Sequence, residues 1–125
     1  MSKKLIILEM ANNHMGDIPH GISLIEAFGV EAKKFPEYNF AFKFQYRDLD
    51  TFIHPSHVEG SDNIHIPRFI STQLTREEWQ ILFSAVKDEG MLTMCTPFDN
   101  ESIPVILEMD FDIIKVASCS AKDWP

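Results

Sequence analysis

Short apolar runs alternate with segments of helical periodicity along the chain. The runs predict four β-strands, at residues 4–9, 39–45, 91–95 and 112–117. After the first strand, apolar residues recur at roughly helical spacing until Pro36 ends the pattern; they are Ile22, Ile25, Phe28, Ala32 and Phe35. A long polar connection, residues 46–72, follows the second strand and is expected to be a functional loop or to carry a short helix.

The clearest helix follows this connection. Thr75 and Glu78 form a capping box, and Gly90 stands where a C-terminal cap belongs. The buried face is predicted to be Trp79, Leu82, Phe83 and Val86. A further helix, capped by Asp99 and with Pro104 in its first turn, is expected to face inward with Ile103, Ile106 and Leu107.

This alternation of strands and helices predicts a parallel sheet. The strands are continuous apolar runs, which indicates that both faces of the sheet are covered. The fold class is therefore α/β, and residues 1–125 are expected to form about the first four β/α units of a (β/α)8 TIM barrel. Because a closed barrel needs about eight strands, the chain is expected to be a fragment or the product of a truncated reading frame, with an open edge.

Composition narrows the function classes. At 125 residues and 45% hydrophobic content the chain can bury one modest core. The net charge of -8 comes with no basic stripe, which argues against nucleic acid as a partner. No apolar run approaches the ~20 residues of a membrane span, and the run after Lys4 is too short for a secretory signal, so a cytoplasmic protein without a membrane partner is expected. Cys95 and Cys119 show no metal or redox spacing and are expected to be packing residues.

The stretch Glu-Met-Ala-Asn-Asn-His-Met-Gly-Asp, residues 9–17, brings polar groups to the end of the first strand. Glu9 could serve as a general base, a metal-bridging group or an acceptor for a sugar hydroxyl, or simply pair with a lysine. Asn12 and Asn13 suit a turn as well as a site, and His14 is the most plausible titrating group of the loop. Outside this stretch, three histidines of the long connection are expected at the surface; they are His54, His57 and His65.

On the second strand, Lys43 and Gln45 are two residues apart and share one face, while Phe42 and Phe44 point to the other. The same alternation puts Lys115 on the inner face of the fourth strand. Two ammonium groups at one mouth would hold a phosphate and a carboxylate together, with hydroxyl groups from Thr96 and Ser118 completing the hydrogen bonds. The alternative for Lys43 is a pair with a neighbouring carboxylate.

These residues, in this order, resemble the sialic acid synthase family. Residues 9–17 match its Glu-Ile-Gly-x-Asn-His-x-Gly-Asp element, Lys43-Phe44-Gln45 its Lys-x-Gln, residues 95–98 its Ser-Thr-Pro-Phe and residues 115–118 its Lys-Ile-x-Ser. Each motif alone is weak, but four of them at the ends of four successive predicted strands are together quite specific. The resemblance implies the N-terminal part of a TIM-barrel domain, without its second half or the small antifreeze-like C-terminal domain, which in the family reaches the partner subunit's active site in a homodimer.

The implied reaction joins phosphoenolpyruvate to an open-chain acetamido sugar such as N-acetylmannosamine and releases phosphate. By resemblance, phosphoenolpyruvate would be held by Lys43, Thr96, Lys115 and Ser118. Gln45 would contact the sugar, and Glu9 would act near the reacting water or aldehyde. A divalent metal, Mn²⁺ or Mg²⁺, polarises the aldehyde in the family, and its ligands are expected outside this chain. The fragment alone is expected to be inactive.

One departure from the family concerns the sugar. The usual Lys-Ile-x-Ser-Gly-Glu becomes Lys-Val-Ala-Ser-Cys-Ser, so Ser120 stands where an acidic residue usually contacts the sugar. We therefore hypothesise a different acceptor, such as a deoxy or diacetamido hexose. Two other readings stay open: a class I aldolase that uses Lys43 or Lys115 as a Schiff-base nucleophile, and a non-catalytic half-barrel that binds phosphorylated ligands.

Overall fold

A computed structural model of the protein describes residues 2–122. Its four strands are β1 (Lys4–Glu9), β2 (Tyr38–Tyr46), β3 (Leu92–Pro97) and β4 (Ile113–Ile114). They form one parallel sheet in the order β1-β2-β3-β4, so each strand pairs with the next in sequence. Parallel neighbours need a crossover, and each one here carries helix. The α/β fold and the parallel sheet predicted from the sequence are confirmed.

The helices lie between the strands: α1 (Ile18–Ala32), α2 (Leu49–Phe52), α3 (Ile66–Ser71), α4 (Arg76–Asp88) and α5 (Ser102–Glu108). The connection between β2 and α4 carries α2, α3 and a 3₁₀ turn at Pro55–His57, as its length predicted. The core fills the space between the sheet and helices α1 and α4. Its fully buried side chains include Phe42 and Phe44 from the sheet and Ile25, Leu82 and Val86 from these helices.

Helix α4 has the caps and the face predicted for it. The Thr75 hydroxyl oxygen accepts from the Glu78 N–H at 3.2 Å, and the Glu78 carboxylate accepts from the Thr75 N–H at 2.7 Å. Gly90 adopts φ +77°, and the N–H of Met91 donates to the Val86 carbonyl. This is a Schellman ending, in which two orphan carbonyls are satisfied. The four residues predicted to form the inner face are buried.

Helix α1 begins four residues earlier than the apolar spacing indicated. The Asp17 carboxylate caps it by accepting from the His20 N–H at 3.0 Å. The buried residues of the helix are Gly21, Ile25 and Gly29, which lie four apart. Phe28 and Phe35, which belong to the apolar pattern, are 45% and 48% exposed, and Phe35 lies beyond the end of the helix. The buried face of the helix is set largely by the small residues Gly21 and Gly29, which carry no apolar signal in the sequence.

The third and fourth units also depart from the predictions. Ile106 of α5 is buried, but Ile103 and Leu107 are 43% and 60% exposed. Asp99 accepts from the Ser102 N–H at 2.8 Å and so caps the turn that leads into α5. The fourth strand covers two residues instead of the predicted 112–117. At its start the carboxylate of Asp112 accepts from both the N–H and the hydroxyl of Thr93, at 2.8 Å each.

Strand β1 is apolar yet exposed. Leu5, Ile6 and Ile7 are 43%, 37% and 46% accessible, so the prediction that both faces of the sheet are covered is wrong for this strand within residues 2–122. The physical reason is its position, because β1 pairs with β2 on one side and has no described strand on the other. Among the described residues, no helix is long and apolar enough to cross a membrane.

The two cysteines differ. Cys95 on β3 is 1% exposed, and burial raises the pKa of its thiol to about 12. It is the packing residue that the sequence predicted. Cys119 lies exposed in the 3₁₀ turn Ser118–Ser120, so the same prediction was wrong for it. The apolar run before Cys119 leaves the sheet after Ile114, and the side chain therefore has no layer to pack into.

Candidate active site

The polar ends of β1, β2 and β3 meet at one edge of the sheet. Glu9 pairs in register with Lys43, and Gln45 pairs with Thr96. Register partners in a parallel sheet share a face, and residues two apart along a strand do so as well. The four residues therefore lie on one face, opposite the face on which Phe44 packs into the core. This edge is the carboxyl end of the strands, where sites form in folds of this kind.

Lys43 and Glu9 form an ion pair at the centre of this edge. Lys43 is only 8% exposed. The side chain of Glu9 is more open, and its second oxygen accepts from the Ala11 N–H at 3.2 Å. Of the alternatives that the sequence left open, the structure shows the pairing of these two residues. A buried ammonium group needs an anionic partner, and Glu9 supplies it within the described chain.

Thr96 contributes a hydroxyl group with no partner. The residue is 1% exposed, and its Oγ1 makes no hydrogen bond to any group in residues 2–122. Leaving a buried hydroxyl unsatisfied is costly, so such a group at a polar edge is a natural contact for a bound oxygen or a water molecule. Together the ammonium of Lys43, this hydroxyl and the Gln45 amide can bind an anionic, oxygen-rich ligand.

The loop that follows β1 at this end of the sheet has an unusual backbone conformation. Ala11 and Met15 adopt positive φ angles of 45° and 57°, and Gly16 has φ 72°. The Asn13 side chain is exposed. His14 is instead 1% exposed, accepts from the Gly16 N–H through Nδ1 at 3.1 Å, and sets its ring edge-on to Trp79 at 5.5 Å. Burial lowers the pKa of His14, so the neutral ring fixes the loop from beneath.

Three predicted site residues lie on the fourth unit. Lys115 follows β4 and is exposed, and its N–H still donates to the Cys95 carbonyl at 2.9 Å. Ser118 and Ser120 lie in the 3₁₀ turn; Ser118 is exposed and Ser120 is half-buried. The predicted inner face of a long fourth strand is therefore absent, since the strand ends at Ile114. The structure does not bring these three side chains into contact with the pair of Lys43 and Glu9.

Sequence reasoning missed Arg47. It follows β2 directly, and its guanidinium lies 3.9 Å from the ring centre of Phe98, 4.4 Å from that of Phe69 and 5.7 Å from that of Phe52. A cavity of about 30 Å³ beside it is also lined by Asn12, His14 and Gln45. The signal was available, because Arg47 continues the alternation that placed Lys43 and Gln45 on one face.

The described residues contain no group of three or more His, Cys, Asp and Glu placed to hold a metal ion. His54, His57 and His65 are exposed, as predicted, and lie on the connection between β2 and α4.

A sequence model of the NeuB family matches residues 22–125. The chain resembles a crystal structure from Chromobacterium violaceum ATCC 12472 that is named spore coat polysaccharide biosynthesis protein E. The TM-score is 0.91 and the identity 48%, over 98% of this chain and 36% of that one. None of the curated proteins matches the chain.

A second crystal structure resembles the chain at lower identity. The N-acetylneuraminic acid (sialic acid) synthetase of Leptospira borgpetersenii serovar Hardjo-bovis, solved with citrate, has a TM-score of 0.74 and 24% identity, over 95% of this chain and 38% of that one. The chain thus spans 36% and 38% of the length of these two proteins. The coverage and the parallel sheet fit the first units of a TIM barrel, as the sequence predicted.

Proposed function

The chain belongs to the NeuB family, and from this we propose that it is part of a sialic acid synthase-like enzyme. The observation that carries the proposal is the buried Lys43, paired with Glu9 and flanked by Gln45 and the unpartnered Thr96 hydroxyl at the carboxyl ends of parallel strands. Phosphoenolpyruvate carries both a carboxylate and a phosphate. Because the protein has a net charge of -8, it can bind such an anion only where hydrogen-bond donors and positive charge are concentrated, as they are around Lys43.

The proposed reaction condenses phosphoenolpyruvate with an N-acetylated aldose. Carbon 3 of phosphoenolpyruvate forms a bond to the aldehyde carbon, whose oxygen takes up a proton. Water adds to carbon 2 and loses a proton, which gives a tetrahedral intermediate. The bond between carbon 2 and the bridging oxygen then breaks while the new hydroxyl on carbon 2 becomes a carbonyl group. Inorganic phosphate leaves with the hydroxyl proton, and a 2-keto sugar acid remains. No oxidant or reductant is needed.

Lys43 and Thr96 are the proposed contacts for phosphoenolpyruvate within the described site. Lys43 supplies a fixed positive charge whose burial limits competition from water. Thr96 supplies a hydroxyl that no protein group in residues 2–122 satisfies. We assign the same ligand to Lys115 and Ser118, which lie on the next unit along the chain. Asn13 and His14 belong to the loop that borders this ligand.

Glu9 is the proposed catalytic residue. Its carboxylate is held by Lys43 and by the Ala11 N–H, and 42% of its side chain is open to solvent. A carboxylate held at this position can accept a proton from water that approaches the reacting carbon. Gln45 is the proposed contact for the sugar.

We further propose that residues outside these 125 complete the barrel, add an antifreeze-like domain and form a homodimer, because the chain spans little more than a third of its structural neighbours. Mn²⁺ or Mg²⁺ would polarise the aldehyde when bound. Among the described residues, no group of three or more His, Cys, Asp and Glu is placed to hold this metal.

Ser120 supports a proposal about the sugar. A serine provides a neutral hydroxyl where the family pattern has a carboxylate, and a site loses a strong acceptor by this change. We propose an acceptor that lacks the matching hydroxyl, such as a deoxy or diacetamido hexose. A clear preference for N-acetylmannosamine would contradict this assignment.

Phosphate release tests the proposal. Phosphoenolpyruvate and Mn²⁺ are incubated with a panel of acetamido sugars and either the 125-residue chain or a chain extended with a homologous second half. We expect sugar-dependent release by the extended chain alone. A class I aldolase would instead form a Schiff base between its substrate and Lys43 or Lys115, which borohydride would reduce and trap. Failure of both assays, with no binding of phosphoenolpyruvate, would favour a half-barrel without catalytic activity.

A further inference from the structure

Gln45 is held in a defined orientation by Arg47. The Arg47 guanidinium donates to Oε1 of Gln45 at 3.2 Å. Because a guanidinium has donors only, the atom that faces it must be the amide oxygen, which settles the otherwise ambiguous orientation of the amide. Among residues 2–122, the side-chain hydrogen bond of Gln45 is made by its amide oxygen, and the amide NH₂ donates to no protein group.

Arg47 itself has little freedom to move. Its guanidinium is surrounded by rings from three separate segments: Phe52 of α2, Phe69 of α3 and Phe98, which follows β3. Stacking on aromatic rings holds a planar guanidinium in a way that a lysine ammonium cannot reproduce. The Nε of Arg47 is buried and has no partner in the described chain. The arginine is therefore fixed by packing rather than by a full set of hydrogen bonds.

The long connection between β2 and α4 supplies two of the rings that contact Arg47. Phe52 and Phe69 both belong to it, and their two rings also meet each other edge-on at 6.2 Å. On the other side, the Asp48 N–H donates to the Asp99 carboxylate at 2.9 Å, which ties the start of the connection to the end of β3. These contacts hold Phe52, Phe69 and Phe98 in place around the Arg47 guanidinium.

We propose that Arg47 is a positioning residue that fixes Gln45 as a hydrogen-bond donor, so that the substrate atom met by Gln45 is an acceptor oxygen of the sugar. The proposal rests on the proposed function in one respect, the assignment of Gln45 to the sugar. The orientation of the amide does not depend on that assignment. Arg47 needs no contact with the sugar to exert this effect.

The first test needs no activity. In the full chain, the side-chain NH₂ resonances of Gln45 are recorded by ¹⁵N NMR for the parent, for Arg47→Met and for the control Arg68→Met. Arg68 is an exposed arginine on α3 with no side-chain hydrogen bond to Gln45. We expect the Gln45 resonances to shift and converge in Arg47→Met only. Unchanged resonances in Arg47→Met would overturn the inference, whatever the enzyme does.

The second test uses a complete barrel that carries this segment and releases phosphate. Gln45→Glu keeps an oxygen for Arg47 but replaces the donor with a second acceptor. We expect the KM for the sugar to rise roughly tenfold or more, with a smaller change for phosphoenolpyruvate. An unchanged or lower sugar KM would overturn the inference, because Gln45 would then either accept a hydrogen bond from the sugar or make no contact with it.

A double-mutant cycle separates positioning from general packing. Arg47→Met is expected to raise the sugar KM when Gln45 is present and to have little further effect in a Gln45→Leu background. Arg47→Lys should recover only part of the loss, because it keeps the charge without the planar fork. An equal effect of Arg47→Met in both backgrounds would assign Arg47 a structural role and contradict the inference. If the complete barrel without substitutions showed no turnover, the proposed function would be rejected. The NMR experiment would still decide whether Arg47 orients Gln45.

Discussion

The loop after β1 depends on backbone conformations that few residues adopt. Gly16 has φ +72°, and a Cβ atom placed on it would lie 2.9 Å from the Ser71 carbonyl oxygen and 3.2 Å from the Thr72 Cα. Both are backbone atoms, which cannot swing aside as a flexible side chain can. The loop therefore contacts the end of α3 at a distance that only glycine permits, and this contact fixes the loop relative to the long connection.

We expect Gly16→Ala to destabilise the chain by about 2 kcal/mol or more, from the left-handed backbone and the steric overlap together. Gly60→Ala is the matched control, because Gly60 has φ +71° but no atom within 4 Å of the added Cβ. The control should cost only about 1 kcal/mol. Urea unfolding of both variants measures the difference, and equal losses would show that the close approach to Ser71 has no energetic weight.

His14 predicts a pH dependence of stability. Burial, with a smaller contribution from His20, lowers its pKa below the ordinary value of 6.5. The unfolded chain then binds a proton more readily than the folded chain, so stability rises with pH in this range. The contribution of His14 is complete above about pH 6.5 and declines as the pH falls from there through the folded-state pKa.

Urea midpoints measured at neutral and mildly acidic pH test this expectation. The difference between the two pH values should shrink in His14→Gln and persist in His54→Gln, which alters an exposed histidine of the long connection. A pH dependence that survives His14→Gln unchanged would contradict the assignment.

At the scale of elements, helix α4 supports the site through Trp79. The indole contacts His14, Phe44 and Tyr46 at ring distances of 5.5 to 5.6 Å. A shift of this helix would therefore disturb the loop after β1 and the end of β2 together. Thr75 fixes the start of the helix one turn before Trp79.

Thr75→Ala should cost about 1 kcal/mol, since the capping oxygen is lost. Thr75→Ser keeps that oxygen and should remain close to the parent. Chemical unfolding of the pair gives the comparison. If the serine variant lost as much as the alanine variant, packing of the threonine methyl group, and not the cap, would be the source of the stability.

The sequence predicted these elements where side chains carry the signal. The capping box, the inner face of α4 and the inner positions of Lys43 and Gln45 all follow from local spacing. The face of α1 did not, because Gly21 and Gly29 mark a close approach that only the packed helices reveal. The length of the fourth strand did not follow either, since an apolar run becomes a strand only beside a partner, and β3 pairs with just two of its residues.

The surroundings of Arg47 also could not be predicted from local sequence spacing. The three phenylalanines come from positions 52, 69 and 98, and no periodicity relates them. Such a cluster forms through the path of the long connection, which sequence spacing does not determine. The ion pair of Lys43 and Glu9, in contrast, could be predicted as one alternative, because the ends of neighbouring parallel strands must meet.

At the scale of the whole molecule, apolar side chains remain uncovered at both edges of the sheet. Leu5 and Ile7 on β1 share the face of Glu9, and Ile114 and Val116 at the other edge are 42% and 65% exposed. Further β/α units would cover these residues when the barrel closes.

The measurement that tests the central claim most directly is sugar-dependent phosphate release from phosphoenolpyruvate by a complete barrel carrying Lys43→Met. Lys87→Met serves as control, because Lys87 lies on the outer helix α4 above the ring of Phe83. We expect the control to match the parent and Lys43→Met to lose at least about a hundredfold in kcat/KM, as removal of a charged contact in a buried site requires. Full activity of Lys43→Met would contradict the account.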